Sequence, residues 1–197
     1  MVNRHKCLFL FSTMNDHHIR SKLKDKIVGI AGCGGLGSNC AIALARVGVG
    51  RLIIADYDKV EISNLNRQYF FADQAGKAKV IALRENIERI DRLIKVETHE
   101  IQLNEKNIPV IFKDCDVIVE AFDRADMKKM IIETVLEKMP DHYVVCGSGL
   151  AGWGDNDSIG MTISGKLYII GDGINEVSDE YPPIAPRVCI VANMQAN

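Results

Sequence analysis

A glycine-rich turn, read with its flanking segments, restricts this chain to few folds. Gly32, Gly34 and Gly37 fit G-x-G-x-x-G directly after the apolar run 27–31 and at the mouth of a small-residue segment, 39–47, with helical character. A second apolar run, 51–55, follows and closes on Asp56, 19 residues after the third glycine. A glycine triplet alone says little; set between strand and helix, with a carboxylate ending the next strand, it is half of a nucleotide-binding fold. The physical reason is local. Glycines let the backbone turn sharply and approach a phosphate with no Cβ in the way. The unpaired N–H groups and dipole of the helix that begins near Gly35 favour the negative charge.

The rest of the chain repeats the alternation. Apolar residues at 80, 83, 87 and 90 give a helix over 76–91, led by Lys77 and Lys79; strands are expected at 94–98, 116–120 and 142–146, and helices at 104–112 and 125–139. Strictly alternating β and α elements with near-continuous apolar strands require a parallel sheet covered on both faces. Segments 158–164 and 166–170, joined at Gly165, read as a hairpin, and 171–187, with prolines at 182, 183 and 186, reads as a long crossing loop. The fold class is α/β, a Rossmann-like, doubly wound, mainly parallel sheet with an antiparallel hairpin at its C-terminal edge. An N-terminal segment, 1–25, with an amphipathic helix over 19–24, leads into one nucleotide-binding domain, 26–197. The helix pattern from Val188 reaches Asn197 without a stop signal, the pattern of a chain cut short.

Composition removes several classes of function. With 24 basic and 26 acidic residues the net charge is −2, which gives no electrostatic reason to bind nucleic acid or an anionic membrane. The run at 7–11 is five residues, below the roughly 7–15 of a signal-peptide core, and nothing approaches the roughly 18 of a membrane span. Six cysteines without a C-x-x-C pair are expected to be reduced thiols of a cytoplasmic protein.

The residues beyond the glycine turn decide the chemistry. Asp56 stands where such folds hold ribose hydroxyls, and on that alone a nicotinamide-dependent oxidoreductase fits. A second carboxylate, Asp58, then precedes the loop 63–68, Ser-Asn-Leu-Asn-Arg-Gln, and Lys79 lies on the next helix. Hydride transfer has little need of Arg67 and Lys79 beside a pyrophosphate. A reaction that breaks a triphosphate does, because charge develops on the leaving oxygens. Glu120-Ala-Phe-Asp123 ends the fourth strand at the same sheet edge, and Mg²⁺ is commonly held by one or two carboxylates plus substrate phosphates, so Asp123 is the metal candidate.

The glycine turn 32–38, Asp56-Tyr-Asp58, the 63–68 loop, Lys79 and the Glu120/Asp123 pair together resemble the ThiF/MoeB/HesA family, relatives of ubiquitin-activating enzymes, over about residue 26 to the end. The wording at 120–123 and 147–152 is most similar to the short ThiF branch without zinc-binding cysteines. The resemblance implies an adenylyltransferase that uses MgATP to activate the C-terminal glycine of a small ubiquitin-like sulfur carrier ending in Gly-Gly, ThiS-like and serving thiamine biosynthesis, within a homodimer. It assigns Gly32, Gly34, Gly35 and Gly37 to the phosphates, Asp56 and Asp58 to the nucleotide, Asn64 and Gln68 to the loop or nucleotide, Arg67 and Lys79 to phosphates and catalysis, and Asp123 to Mg²⁺. Relatives place a partner-subunit arginine over the phosphates, for which Arg4 and Arg20 are the nearest counterparts. The crossing loop here has no cysteine for thioester chemistry; Cys189 lies just beyond it. Glu120 replaces the usual Asp, and Arg124 a frequent Asn. A nucleotide-binding scaffold without activity is the remaining alternative, and a tRNA-modifying subclass is disfavoured by the neutral charge.

Overall fold

Apolar runs without polar alternation need cover on both faces, and the sheet supplies it. The computed structural model describes residues 16–175, 177–178 and 180–197; Arg4, Cys7 and the run 7–11 lie outside the described residues. Among the described residues, strands β1 (Ile27–Ala31), β2 (Arg51–Asp56), β3 (Lys95–Glu100), β4 (Val117–Glu120), β5 (Tyr143–Gly147), β6 (Gly160–Ser164) and β7 (Leu167–Gly171) form one sheet in the order β3-β2-β1-β4-β5-β7-β6. Every pairing is parallel except β6 with β7, so the expected hairpin does edge the sheet.

Period-two alternation sends each strand's residues to opposite cores. Val28, Ile30, Leu52, Ile54 and Val119 pack beneath α2 (Gly35–Val47), α3 (Lys79–Ile90) and α6 (Ala185–Ala196). Ala31, Ile53, Ala55 and Ile118 face α4 (Ile108–Ile111) and α5 (Ala125–Lys138), around the fully buried Phe112. Helix α1 (Asp16–Leu23) precedes β1, with Leu23 packed on the first of these cores.

Several boundaries differ from expectation for definable reasons. β3 starts at Lys95 and runs on to Glu100, because its register on β2 continues through Asp56↔Glu100. The helix expected over 104–112 is one turn: Asn104 Oδ1 accepts the N–H groups of Lys106 and Asn107, an Asx turn that delays the helix to Ile108. Lys77 does not begin α3, since Gly76 is left-handed (φ 85°) and the Lys77 carbonyl accepts from Val60 N–H; α3 begins at Lys79. α6 begins at Ala185, ahead of the expected Val188, because a proline in the first turn loses no helical hydrogen bond.

Candidate functional site

The strand order reverses between β1 and β4, and in open α/β sheets ligands sit at the carboxyl ends of the strands at that point. Gly32 leaves β1 with φ 95°, donating its N–H to Ala55 O at 2.9 Å, and a Cβ there would sit 2.9 Å from Ala121 O. Conformation and crowding both demand glycine. At Gly37 a Cβ would meet Gly32 O at 1.9 Å, so α2 could not approach the turn with any other residue. Gly34 caps α2 with no side-chain hydrogen bond, and the first turn carries no acid, so no side chain competes for the N–H groups that a helix start leaves open.

Asp56 ends β2 facing this turn. Its Oδ2 accepts Cys33 N–H at 2.6 Å and its Oδ1 accepts Asp58 N–H at 2.7 Å. Both oxygens are braced by backbone, and each keeps an acceptor site for a hydroxyl. Lys79, the first residue of α3, has an 8% exposed side chain whose Nζ donates to Asp58 Oδ2 at 2.9 Å, while its N–H donates to Asp58 O at 2.9 Å. Asp58 itself is 49% exposed.

The loop 63–68 lies against the start of α2. Asn64 supports it internally: its carbonyl accepts Arg67 and Gln68 N–H, and its Oδ1 accepts Glu61 N–H. Two residues the sequence reading did not single out as site residues attach the loop to α2. Asn39 Nδ2 donates to Gly35 O (2.7 Å) and Arg67 O (2.9 Å), and Ser38 Oγ accepts Tyr69 N–H at 2.9 Å. Their signal was two adjacent polar residues near the start of a helix whose next six residues are small or apolar. The Arg67 stem passes 3.8 Å from a Cβ built on Gly35, and its Nη1 donates to Asn66 Oδ1 at 2.8 Å. The Gln68 amide lies 3.9 Å from a Cβ built on Gly34, and its buried Oε1 has no hydrogen-bond partner among the described residues.

The turn after β4 closes the far side. Ala121 N–H donates to Ala31 O at 2.9 Å, and Phe122 lies against Gly32. Asp123 is exposed on this turn. Glu120, by contrast, is fully buried and paired with Lys128 at 3.0 Å. Burial pushes the Glu120 carboxyl up, against the opposing pull of Lys128 and of Phe122 N–H. Glycine turn, Asp56, Asp58, Lys79, the Arg67 loop and the Asp123 turn therefore meet at one edge. Arg20 does not join them: it donates to Arg46 O near Gly48, beside a shallow cavity of about 730 Å³ at the opposite edge of the strands. Among the described residues no helix is long and apolar enough to cross a membrane.

Burial disfavours the thiolate at Cys33, Cys40, Cys115 and Cys189. Burial, then Asp56, pushes Cys33 well above its usual range, with Lys79 opposing; burial lifts Cys40 and Cys115 to about 12. Cys189 is raised less, for the same reason, and is half-buried.

Fold and site together define a Rossmann-like domain of the doubly wound type, with the Lys79 ammonium held by Asp58 and the loop that carries Arg67 anchored to the first helix after the glycine turn. The chain belongs to the ThiF family, whose model matches residues 8–168. It is 36% identical over 131 residues to adenylyltransferase and sulfurtransferase MOCS3 of Anopheles gambiae, covering 66% of this chain and 29% of that protein. It is 41% identical over 101 residues to ubiquitin-like modifier-activating enzyme 5 of Drosophila virilis, covering 51% of this chain and 25% of the relative. The chain thus spans less than a third of the length of these curated relatives. Among solved structures, E. coli tRNA N6-threonylcarbamoyladenosine dehydratase, TcdA, in complex with AMP superposes with a TM-score of 0.81 at 21% identity, covering 90% of this chain and 85% of that one. E. coli MccB with AMPCPP and MccA gives 0.71 at 22% identity, covering 99% and 61%. At these identities the likeness is one of fold.

Proposed function

We propose that this chain adenylates a carboxylate: it binds MgATP at the switch point and transfers AMP to the C-terminal glycine of a small ubiquitin-like carrier protein, releasing pyrophosphate. The observation that carries the reading is the nearly buried Lys79 ammonium, fixed beside Asp58 at the same edge as the glycine turn and the Arg67 loop. A dinucleotide site has no use for that lysine, whereas a leaving pyrophosphate does. The names of the relatives, an adenylyltransferase and a modifier-activating enzyme, agree with it. A ThiS-like sulfur carrier ending in Gly-Gly, a place in thiamine biosynthesis and a homodimeric assembly are the finer form of the proposal.

The chemistry needs no general base. The carrier carboxylate is ionised at neutral pH and attacks the α-phosphorus; a new acyl oxygen–phosphorus bond forms as the bond to the bridging oxygen breaks, and pyrophosphate leaves with that electron pair. The protein's tasks are to hold two anions together and to neutralise the leaving group. In this reading Gly32, Gly34, Gly35 and Gly37 admit the phosphates, Asp56 takes ribose hydroxyls, Asp58 aims Lys79, and Asn64 and Gln68 shape the loop that presents Arg67. Mg²⁺ would supply charge neutralisation on the phosphates. Asp123 fits it: one exposed carboxylate beside the glycine turn suffices when phosphates complete the shell.

The test is ATP–pyrophosphate exchange against a panel of small carriers ending in Gly-Gly. Exchange is expected with a cognate carrier and lost in Arg67→Ala and in Asp123→Ala, with circular dichroism unchanged. Full exchange in either variant would overturn the assignment.

A further inference from the structure

Glu120 and Lys128 lie outside the roles assigned above, yet they make the most enclosed ion pair near the site. The Glu120 side chain is 0% exposed and that of Lys128 23%. An ammonium has three donors, and Lys128 uses all of them within the protein: Nζ reaches Glu120 Oε1, Glu120 Oε2 and the Gly147 carbonyl, each at 3.0 Å. These acceptors end adjacent strands, β4 and β5. Glu120 Oε1 also accepts Phe122 N–H at 2.7 Å, which folds the chain back immediately before Asp123. Gln195 Nε2, from α6, donates to the Glu120 carbonyl at 3.1 Å.

A pair whose purpose was stability would be an inefficient device, because desolvating two charges offsets most of their attraction. What the pair does provide is geometry. Phe122 lies against Gly32, and Ala121 is bonded to Ala31, so the turn that Glu120 and Lys128 brace is also the wall of the glycine turn. Asp123 is exposed and takes no hydrogen bond from a described residue, so its position depends on the backbone that carries it.

We infer that Lys128 is a positioning residue: by clamping Glu120 and Gly147 it fixes the turn 121–123 and so places Asp123 beside the phosphate-binding turn. This rests on the MgATP reading above.

The test uses Glu120→Gln/Lys128→Met, in which no charge is left buried, with Lys128→Gln as a second variant and Lys128→Arg as the conservative one. Two readouts are needed. Amide hydrogen exchange of the nucleotide-free protein, resolved by NMR, is expected to quicken at least tenfold at Phe122, whose N–H is bonded to Glu120, in the first two variants, with Ile30 and Ile54 unchanged. The Mg²⁺ concentration needed for half-maximal ATP binding, followed by calorimetry, is expected to rise at least tenfold in the same variants. Lys128→Arg should return both readouts to within about threefold, since a guanidinium can span the same acceptors. Wild-type exchange at Phe122 in the double variant would overturn the clamp. Altered exchange with an unchanged Mg²⁺ requirement would overturn its link to Asp123. Wild-type protein that takes up no MgATP would overturn the functional reading first, and the inference with it.

Discussion

Lys79 shows how a single side chain is committed to a site. Its aliphatic stem is covered and its ammonium is held by a carboxylate that is itself half in water. Asp58 tolerates the loss of its partner, because an exposed carboxylate regains solvent; the lysine's value lies in the phosphate it would meet. Lys79→Met is therefore expected to change stability by less than about 1 kcal/mol. It should weaken ATP binding roughly 10- to 100-fold, the worth of one charge-assisted hydrogen bond at about 1.5–3 kcal/mol. Calorimetric titration and a thermal melt together check this; a large melting shift with unaltered affinity would make Lys79 a structural residue. The cysteines permit a second prediction at this scale. With Cys40 and Cys115 at about 12 and Cys33 raised well above its usual range, their thiolate fractions at pH 8 are negligible. Iodoacetamide at pH 8 should label Cys189 before any of the three, and peptide mapping that finds Cys33 modified as fast as Cys189 would contradict the burial that protects it.

At the scale of elements, a buried ion pair joins the two ends of the crossing region, in addition to backbone bonds such as Gly152 N–H to Pro182 O. Asp172, just past β7, and Arg187, in the first turn of α6, are 1% and 4% exposed. Arg187 Nη1 also donates to Gly154 O at 2.6 Å, so three segments converge on one guanidinium. Burial works to raise the Asp172 carboxyl, but the N–H groups of Asn175 and Ile174, the Asn175 amide and Arg187 outweigh it and hold it at about 2. A depressed carboxyl contributes stability that is complete above its unfolded value near 4 and is lost as pH falls through the folded value. The window for Asp172 is therefore about pH 4 to 2. Asp172→Asn leaves the arginine buried without its counter-charge and should cost about 3–5 kcal/mol at neutral pH. Urea melts at pH 7 and pH 3 check both parts: the difference between wild type and variant should shrink at the lower pH. Neither partner was legible as such in the sequence, where 171–187 is a polar loop and Arg187 one arginine among others. Strands were legible because β1 and β2 are buried on both faces and must be continuously apolar. The pairs Arg187–Asp172 and Lys128–Glu120 were not, because a long-range ion pair leaves no periodicity. The start of α6 was misplaced for a related reason: the proline that reads as a breaker in a loop is also welcome in a helix's first turn.

For the molecule as a whole, the consequence is that the site is assembled from segments far apart in sequence. The glycine turn follows β1, Asp56 and the Arg67 loop follow β2, Lys79 opens α3, and the Asp123 turn follows β4. The residues 26–79 that supply most of the site read as a nucleotide cradle from the amino-acid sequence alone, since their order along the chain follows their order in the site. The far wall was legible only as carboxylates ending the fourth strand; the strand order, which sets β4 against β1, is what brings the Asp123 turn against the glycine turn. A ligand seated there touches both halves of the sheet and must be released before the sheet unfolds, so it stabilises by mass action. At 100 times its dissociation constant the gain is about 2.7 kcal/mol. For a domain of this size that corresponds to a rise in melting temperature of roughly 5–10 °C. MgATP is expected to produce this shift in differential scanning fluorimetry, and NAD at the same concentration none, because a dinucleotide gains nothing from Lys79 and Arg67. Asp56→Ala should remove the MgATP shift by deleting the braced carboxylate that would take the ribose hydroxyls. A shift with NAD and none with MgATP would instead make the site that of an oxidoreductase, with Lys79 and Arg67 serving only the fold.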